Sequence, residues 1–116
     1  MKKTKMLKKN YEFSNIFSKG SYYSGDVIEA FILNNRTNDN LLGLAISVKA
    51  GRAYQRNRIK RLLRESYSLY EEQIIPGISI VFLLKKQIDI SSVKFDIVKS
   101  DMERIFEKGK ILKENI

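Results

Sequence analysis

From Ala50 to about Glu72 the chain contains no proline, and its only glycine, Gly51, stands at the start. Proline and glycine are the residues a helix interior tolerates least, so this is the longest helical candidate. On a helix advancing about 100° per residue, Ile59, Leu62, Leu63, Ser66, Leu69 and Tyr70 gather on one side. Arg56, Asn57, Lys60, Arg61 and Arg64 form a continuous arc opposite, with Arg58 near the boundary beside Glu65. An apolar stripe must be buried against another layer. The chain is therefore constrained to a layered fold that leaves a basic helix face at its surface.

The remaining elements follow from punctuation and period. Asn10 to Lys19 predicts a short helix, with Asn10 as N-cap, Glu12 complementing the positive N-terminal end and Gly20 ending it. Its Phe13, Ile16 and Phe17 share a face. Ser21 to Ser24 reads as a short extended segment. Asp26 to Leu33 alternates imperfectly, with Val27, Glu29, Phe31 and Leu33 on one face; Leu41 to Val48 reads as a further strand. The seven residues between, Asn34 to Asn40, are rich in turn formers, which predicts an antiparallel hairpin. Ile78 to Leu84 is an unbroken apolar run, as expected of a strand covered on both faces. Ser91 or Ser92 is placed to cap a last helix, in which Phe95, Val98, Met102, Ile105 and Phe106 recur up to about Glu107. The predicted class is α+β, a small mixed sheet packed with helices in the order α-β-β-(β)-α-β-α. It forms one domain over 1–116, with 1–9 a loosely held basic arm.

Charge says what such a domain meets. The chain carries 22 Lys and Arg against 13 Asp and Glu, a net +9. The excess is localised: Lys2, Lys3, Lys5, Lys8 and Lys9 fall in the first nine residues without an acid. No acid lies between Asp39 and Glu65, where Lys49, Arg52, Arg56, Arg58, Lys60, Arg61 and Arg64 are found. Such a field concentrates polyanions. Arginine's planar fork suits phosphate and base stacking, and Asn57 among the cations can bond a base edge or sugar hydroxyl. Glu65 is placed to pair with Arg61; otherwise the arc has no acidic neighbour one turn away. The competing reading is a solvated charged face.

A second feature points to single strands. Tyr11, Phe13, Phe17, Tyr22, Tyr23 and Phe31 crowd beside the lysine-rich arm, and rings next to cations are what sequence-tolerant strand binding uses. Each ring has the alternative of being core. With no His and no Cys, disulfides, thiolate nucleophiles, Ser-His-Asp triads and zinc sites built on those ligands are excluded. An independent metal nuclease needs clustered carboxylates, whereas Asp26, Asp39, Asp89, Asp96 and Asp101 are scattered over strand, loop and helix positions. No apolar stretch is long enough to span a bilayer and no apolar leader follows the first lysines, so a cytoplasmic location without membrane association is expected. Among proteins that do no chemistry, a purely structural RNA-binding protein of ribosomal type shares this composition.

Arg56-Asn57-Arg58-Ile59-Lys60-Arg61, preceded by Leu42-Gly43-Leu44-Ala45-Ile46-Ser47 and followed by Leu62, Leu63, Arg64 and Glu65, strongly resembles the bacterial ribonuclease P protein subunit. Leu7, Phe13, Phe17, Lys19 and Gly20 look like that family's opening helix, and the likeness runs through essentially the whole chain. The resemblance implies a fold like the second domain of ribosomal protein S5, with a left-handed strand–helix–strand crossover against the usual rule. It also implies a small basic protein that binds a large catalytic RNA and precursor tRNA. The RNA hydrolyses one phosphodiester to release the 5′ leader and itself holds the magnesium; the protein binds no cofactor or metal and has no catalytic residue. Self-association beyond a weak dimer is not expected. Carried over, Lys49, Arg52, Arg56, Asn57, Arg58, Lys60, Arg61 and Arg64 face RNA, while Phe13, Phe17, Phe31, Ser47 and Lys60 line or border a cleft for the leader. Two departures stand out. Family members commonly carry Ser-Lys-Lys where this chain has Ser47-Val48-Lys49, with Arg52 nearby as a compensating cation. Phe31 stands near a usual Tyr, and a slip of one residue on a strand would turn it to the opposite face.

Overall fold

A computed structural model of the chain describes residues 3–114; Lys2, counted in the basic arm, lies outside them. The elements are β1 (Thr4–Met6), α1 (Asn10–Lys19), β2 (Ser21–Ser24), β3 (Ile28–Asn34), β4 (Asn40–Leu44), α2 (Ala53–Tyr70), β5 (Ile78–Leu84) and α3 (Phe95–Gly109). The five strands form one mixed sheet in the order β1-β4-β5-β3-β2. The class is α+β, as the sequence predicts.

The unbroken apolar run takes the middle of the sheet. Ile78 to Phe82 of β5 are all buried, and β5 runs antiparallel to β3 and parallel to β4. This corrects the predicted hairpin: 26–33 and 41–48 do not pair, because β5 lies between them. An apolar strand gains most where both edges and both faces are covered. The Asn34–Asn40 connection need only step over one strand, about 10 Å at the usual spacing. The hairpin that does form joins β2 to β3, and β4–α2–β5 is the strand–helix–strand unit.

The arm also differs from expectation. Residues 4–6 are an edge strand parallel to β4, with Met6 opposite Leu42. Leu7 is buried and donates its N–H to the Leu42 carbonyl at 2.8 Å. Lys3 pairs with Glu72 at 2.8 Å and Lys5 with Asp39 at 3.1 Å, so two of the lysines tie the segment down. Thr4 shares a hydrogen bond with the Tyr67 hydroxyl at 2.8 Å, and burial pushes that phenol up to about 12.

Two layers cover the sheet. Ile28, Ala30, Ile32, Leu42, Ile80 and Phe82 pack with Ile59, Leu63 and Tyr67 of α2 and with Val98, Met102, Ile105 and Phe106 of α3. Phe106 meets Tyr70, Phe82 and Tyr67 with ring centroids 5.7, 6.1 and 6.4 Å away. The buried face of α2 is turned slightly from the predicted one: Tyr67 is inside and Leu69 is 53% exposed. The reason is α3, which packs beside α2 as well as beneath the sheet. The other sheet face carries α1 over a smaller cluster of Leu7, Ile16 and Val81, with Phe13, Phe31, Leu33 and Leu83 partly buried around it.

Two helix starts differ from the predicted caps. Lys9 caps α1, its N–H donating to Glu12 Oε1 at 3.0 Å, and Asn10 is already helical. Ser91 and Ser92 sit in a separate single turn held by Asp89, and α3 starts at Phe95 behind Lys94. In neither helix does a cap side chain take a first-turn N–H: Glu12 accepts from the N–H groups of Lys8 and Lys9 at the entry to α1, and Asp89 from that of Ser91, ahead of α3.

Candidate nucleic-acid interface

The first surface is the outer arc of α2. Asn57, Arg61 and Arg64 are exposed there, and Arg52 and Lys49 are exposed in the segment that enters the helix. Arg52 is the N-cap residue, and its N–H donates to Gln55 Oε1 at 2.8 Å. Two arginines of the motif point partly inward. Arg56 Nη1 donates to the Gly51 carbonyl at 2.7 Å, which braces the turn before the helix. Arg58 Nη2 donates to the Val93 carbonyl at 2.6 Å, which ties α2 to the segment before α3. Among the described residues none of these cations, nor half-buried Lys60, is ion-paired, and the expected Glu65–Arg61 pair is not made. Fixed like charges without counter-charges repel in the free protein and favour an anionic partner.

Sequence reasoning missed two features of this region. Tyr54, 67% exposed, lies on the same strip of α2 as Asn57, Arg61 and Arg64, at spacings of three, seven and ten residues that a helical plot would have shown. Lys85 and Lys86 follow β5 and, with Ser47 and Lys49, line a cavity of about 370 Å³ floored by Ala50, Leu84 and Ile88. The Lys-Lys pair after a predicted strand was the available signal; its meeting with Ser47 and Lys49 depends on β4 and β5 being parallel neighbours.

Two predictions arise from this surface. Arg61→Ala and Arg64→Ala should leave the urea midpoint nearly unchanged while each lowers the salt-dependence slope of RNA binding by about 0.7–0.9. Thermal denaturation in sulfate should give a higher Tm than in chloride at equal ionic strength, because a bound anion stabilises only the folded arrangement of cations.

The second surface lies between α1 and the sheet. Phe13 and Phe17 are four residues apart on one flank of α1. The Phe17 ring meets Phe31 edge-on at 5.2 Å and Tyr22 leans on Phe31 at 5.3 Å. The register sets Phe31 opposite both Tyr22 and Val81, so Phe31 faces α1 and the one-residue slip does not occur. Gly43 leaves room for the Phe13 ring here, since a Cβ at that position would stand 2.6 Å from it and the ring would have to shift. Phe13 and Phe31 are half-buried, whereas Phe17 and Tyr22 are 37% and 51% exposed. Tyr22 donates to Glu29, and this bond raises its phenol above the ordinary value. Of the five residues assigned to the leader cleft, the fold thus gathers Phe13, Phe17 and Phe31. Ser47 lies beyond β4 at the lysine cavity, and Lys60 sits on the helix that packs on the opposite sheet face. Among the described residues no group of three or more His, Cys, Asp or Glu could hold a metal ion, and no helix is long and apolar enough to cross a membrane.

An arginine-faced helix on one side of a mixed sheet, with an aromatic cleft on the other, defines a small α+β RNA-binding protein. The family model for ribonuclease P matches residues 1–110. The ribonuclease P protein component of Natranaerobius thermophilus is 34% identical over 110 residues, covering 95% of this chain and 94% of that one. That of Fusobacterium nucleatum subsp. nucleatum is 36% identical over 108 residues, covering 91% and 97%. The chain belongs to the ribonuclease P protein component family. The solved structure of the Staphylococcus aureus RNase P protein superposes with a TM-score of 0.83 at 25% identity, over 96% of this chain and all of that one. The Thermotoga maritima protein shares the fold, with a TM-score of 0.79 at 24% identity over 90% of this chain and 96% of that one.

Proposed function

We propose that this chain serves the cytoplasmic maturation of tRNA 5′ ends as a binding subunit, while the partner RNA performs the hydrolysis and holds the magnesium ions. The observation that carries this reading is the unpaired arginine arc of α2, set on the opposite sheet face from the aromatic cleft. The two faces allow one protein to hold two RNA elements at once. Lys49, Arg52, Asn57, Arg61 and Arg64 supply phosphate and base contacts to the catalytic RNA. Phe17, Phe31 and Tyr22 supply stacking for unpaired nucleotides of the precursor's 5′ leader, at about 1–3 kcal/mol per stacked base before ordering costs.

Such a subunit acts through differential affinity. Mature tRNA has no leader, so contact in the cleft favours substrate over product. Cations on the protein offset the charge crowded where two RNAs meet, which lowers the magnesium needed for assembly. Arg56 and Arg58 contribute by fixing α2 to its neighbours, so that the exposed arc is presented without rearrangement.

The test is cleavage of a 5′-extended precursor tRNA at low magnesium by a bacterial ribonuclease P RNA alone, by the protein alone, and by both together. Cleavage only in the combined reaction is expected. Equal cleavage with and without the protein, using the RNA of the same organism, would leave the ribosomal-type structural role as the better account. Cleavage by the protein alone would overturn the assignment of chemistry to RNA.

A further inference from the structure

A cavity lies outside both surfaces already described, on the other flank of α1. It encloses about 830 Å³ between the helix and the connection from β3 to β4. Its wall on α1 is Tyr11, Asn15 and Lys19, its floor includes Ile16 and Leu33, and Arg36 stands on the far side. At about 100° per residue, Phe17 and Lys19 lie some 200° apart, so α1 is a ridge with an aromatic cleft on one side and this groove on the other.

The chemistry of the groove is that of a nucleotide site. Tyr11 is 69% exposed, and Lys9 Nζ sits 5.7 Å from its ring centroid. Lys19 and Arg36 form no ion pair among the described residues. The one acid lining the groove, Glu12, directs Oε1 to the backbone N–H groups of Lys8 and Lys9. The backbone of Arg36 is held at the groove's far side: it is left-handed at φ 61° and its N–H donates to Asn34 Oδ1 at 3.0 Å. Asn35 ties the same turn to Thr37, Asp39 and Ser79. An aromatic face, an apolar floor, a free amide at Asn15 and unpaired cations on opposite walls together match unpaired nucleotides: ring for base, cations for the flanking phosphates.

We propose that the groove between α1 and the β3–β4 connection is a second single-strand RNA site, in which Tyr11 stacks on a base and Lys19 and Arg36 hold phosphates. The proposal rests on the function proposed above. Unpaired RNA reaches the groove from one of two sources: leader nucleotides beyond those in the aromatic cleft, or an unpaired segment of the catalytic RNA.

The test uses the reconstituted holoenzyme and two precursor tRNAs, one with a short leader and one extended by several nucleotides carrying 2-aminopurine. Tyr11→Ala and the double variant Lys19→Ala/Arg36→Ala are compared with Tyr11→Phe, which keeps the stacking face. Tyr11 is exposed, so folding is not at stake. If the extended leader occupies the groove, Tyr11→Ala weakens long-leader binding about tenfold and leaves short-leader binding unchanged, and 2-aminopurine quenching is lost. Tyr11→Phe retains both. If catalytic RNA occupies it, the same variants weaken protein–RNA assembly about tenfold whatever the leader, and Tyr11→Phe again does not. Changes below about twofold in both arms overturn the proposal. Phe17→Ala, run alongside, separates the failures: loss of short-leader affinity there with silent Tyr11 variants sinks the groove alone. A holoenzyme no better than the RNA at binding either leader sinks the functional reading and the groove with it.

Discussion

Asp101→Ala is expected to lower the free energy of unfolding by about 3–5 kcal/mol, the range typical when one partner of a buried charged network is removed. The Asp101 carboxylate is fully buried on α3 and accepts the backbone N–H groups of Asp26, Val27 and Ile28 at 2.8, 2.7 and 3.1 Å. Arg104 adds an ion pair at 2.6 Å. Removing the carboxylate strands three donors at the turn between β2 and β3. Gly25 packs so closely that a Cβ would stand 2.4 Å from Asp101 Cγ, so the turn and the carboxylate are fitted from both sides. Asp101→Asn should recover only part of the loss, because its amide group turns a donor towards those N–H groups. Urea denaturation measures the effect, and a loss under about 1 kcal/mol for the Ala variant would show that water replaces the carboxylate. The consequence reaches function, since the pinned hairpin carries Tyr22 and Phe31 into the cleft.

Phe17→Ala should weaken holoenzyme binding of precursor tRNA by about 1–3 kcal/mol, roughly five- to 150-fold, and leave mature tRNA unaffected. The choice of ring matters. Phe13 is seated over Gly43 and Phe31 is half-buried in the sheet, so truncating either mixes stacking with core packing. Phe17 is the more exposed partner of an edge-on pair, and losing that contact should cost stability only about 0.5–1.5 kcal/mol. Phe17→Leu keeps apolar bulk without the stacking face and should bind precursor nearly as poorly as the Ala variant. Affinities for precursor and mature tRNA, measured beside a urea midpoint, decide the matter. A midpoint that falls as it does for a fully buried ring would assign Phe17 to the core, and equal losses for both tRNAs would remove leader contact from the account.

The residues differ in how far their roles could be read without the fold. The arginine arc was legible because helical period is local: Ile59, Leu63 and Ser66 on one side imply Arg61 and Arg64 on the other. The family likeness at Arg56 to Arg61 was legible for the same reason, being a contiguous run. Local signals did not show that Arg56 and Arg58 would turn their guanidinium groups to the Gly51 and Val93 carbonyls, because the second acceptor is 35 positions away. Nor could they show that Lys60 is remote from the rings it was grouped with. Strand pairing is the least local quantity of all: imperfect alternation marked β3 and an unbroken apolar run marked β5 as strands, yet the edge each would choose depended on β5 having the most apolar surface to cover.

Composition and periodicity, then, settled the class of the fold, the basic helix and the absence of imidazole and thiol chemistry, because each depends only on which side chains exist and how near they lie in the chain. Tertiary structure alone decided that β5 separates β3 from β4, that Thr4–Met6 is a strand, that Asp101 holds the β2–β3 turn, and that α1 is a ridge with a groove on either flank. These depend on contacts between residues distant in sequence, where burial of apolar surface and satisfaction of backbone donors choose among pairings that local preference leaves equal.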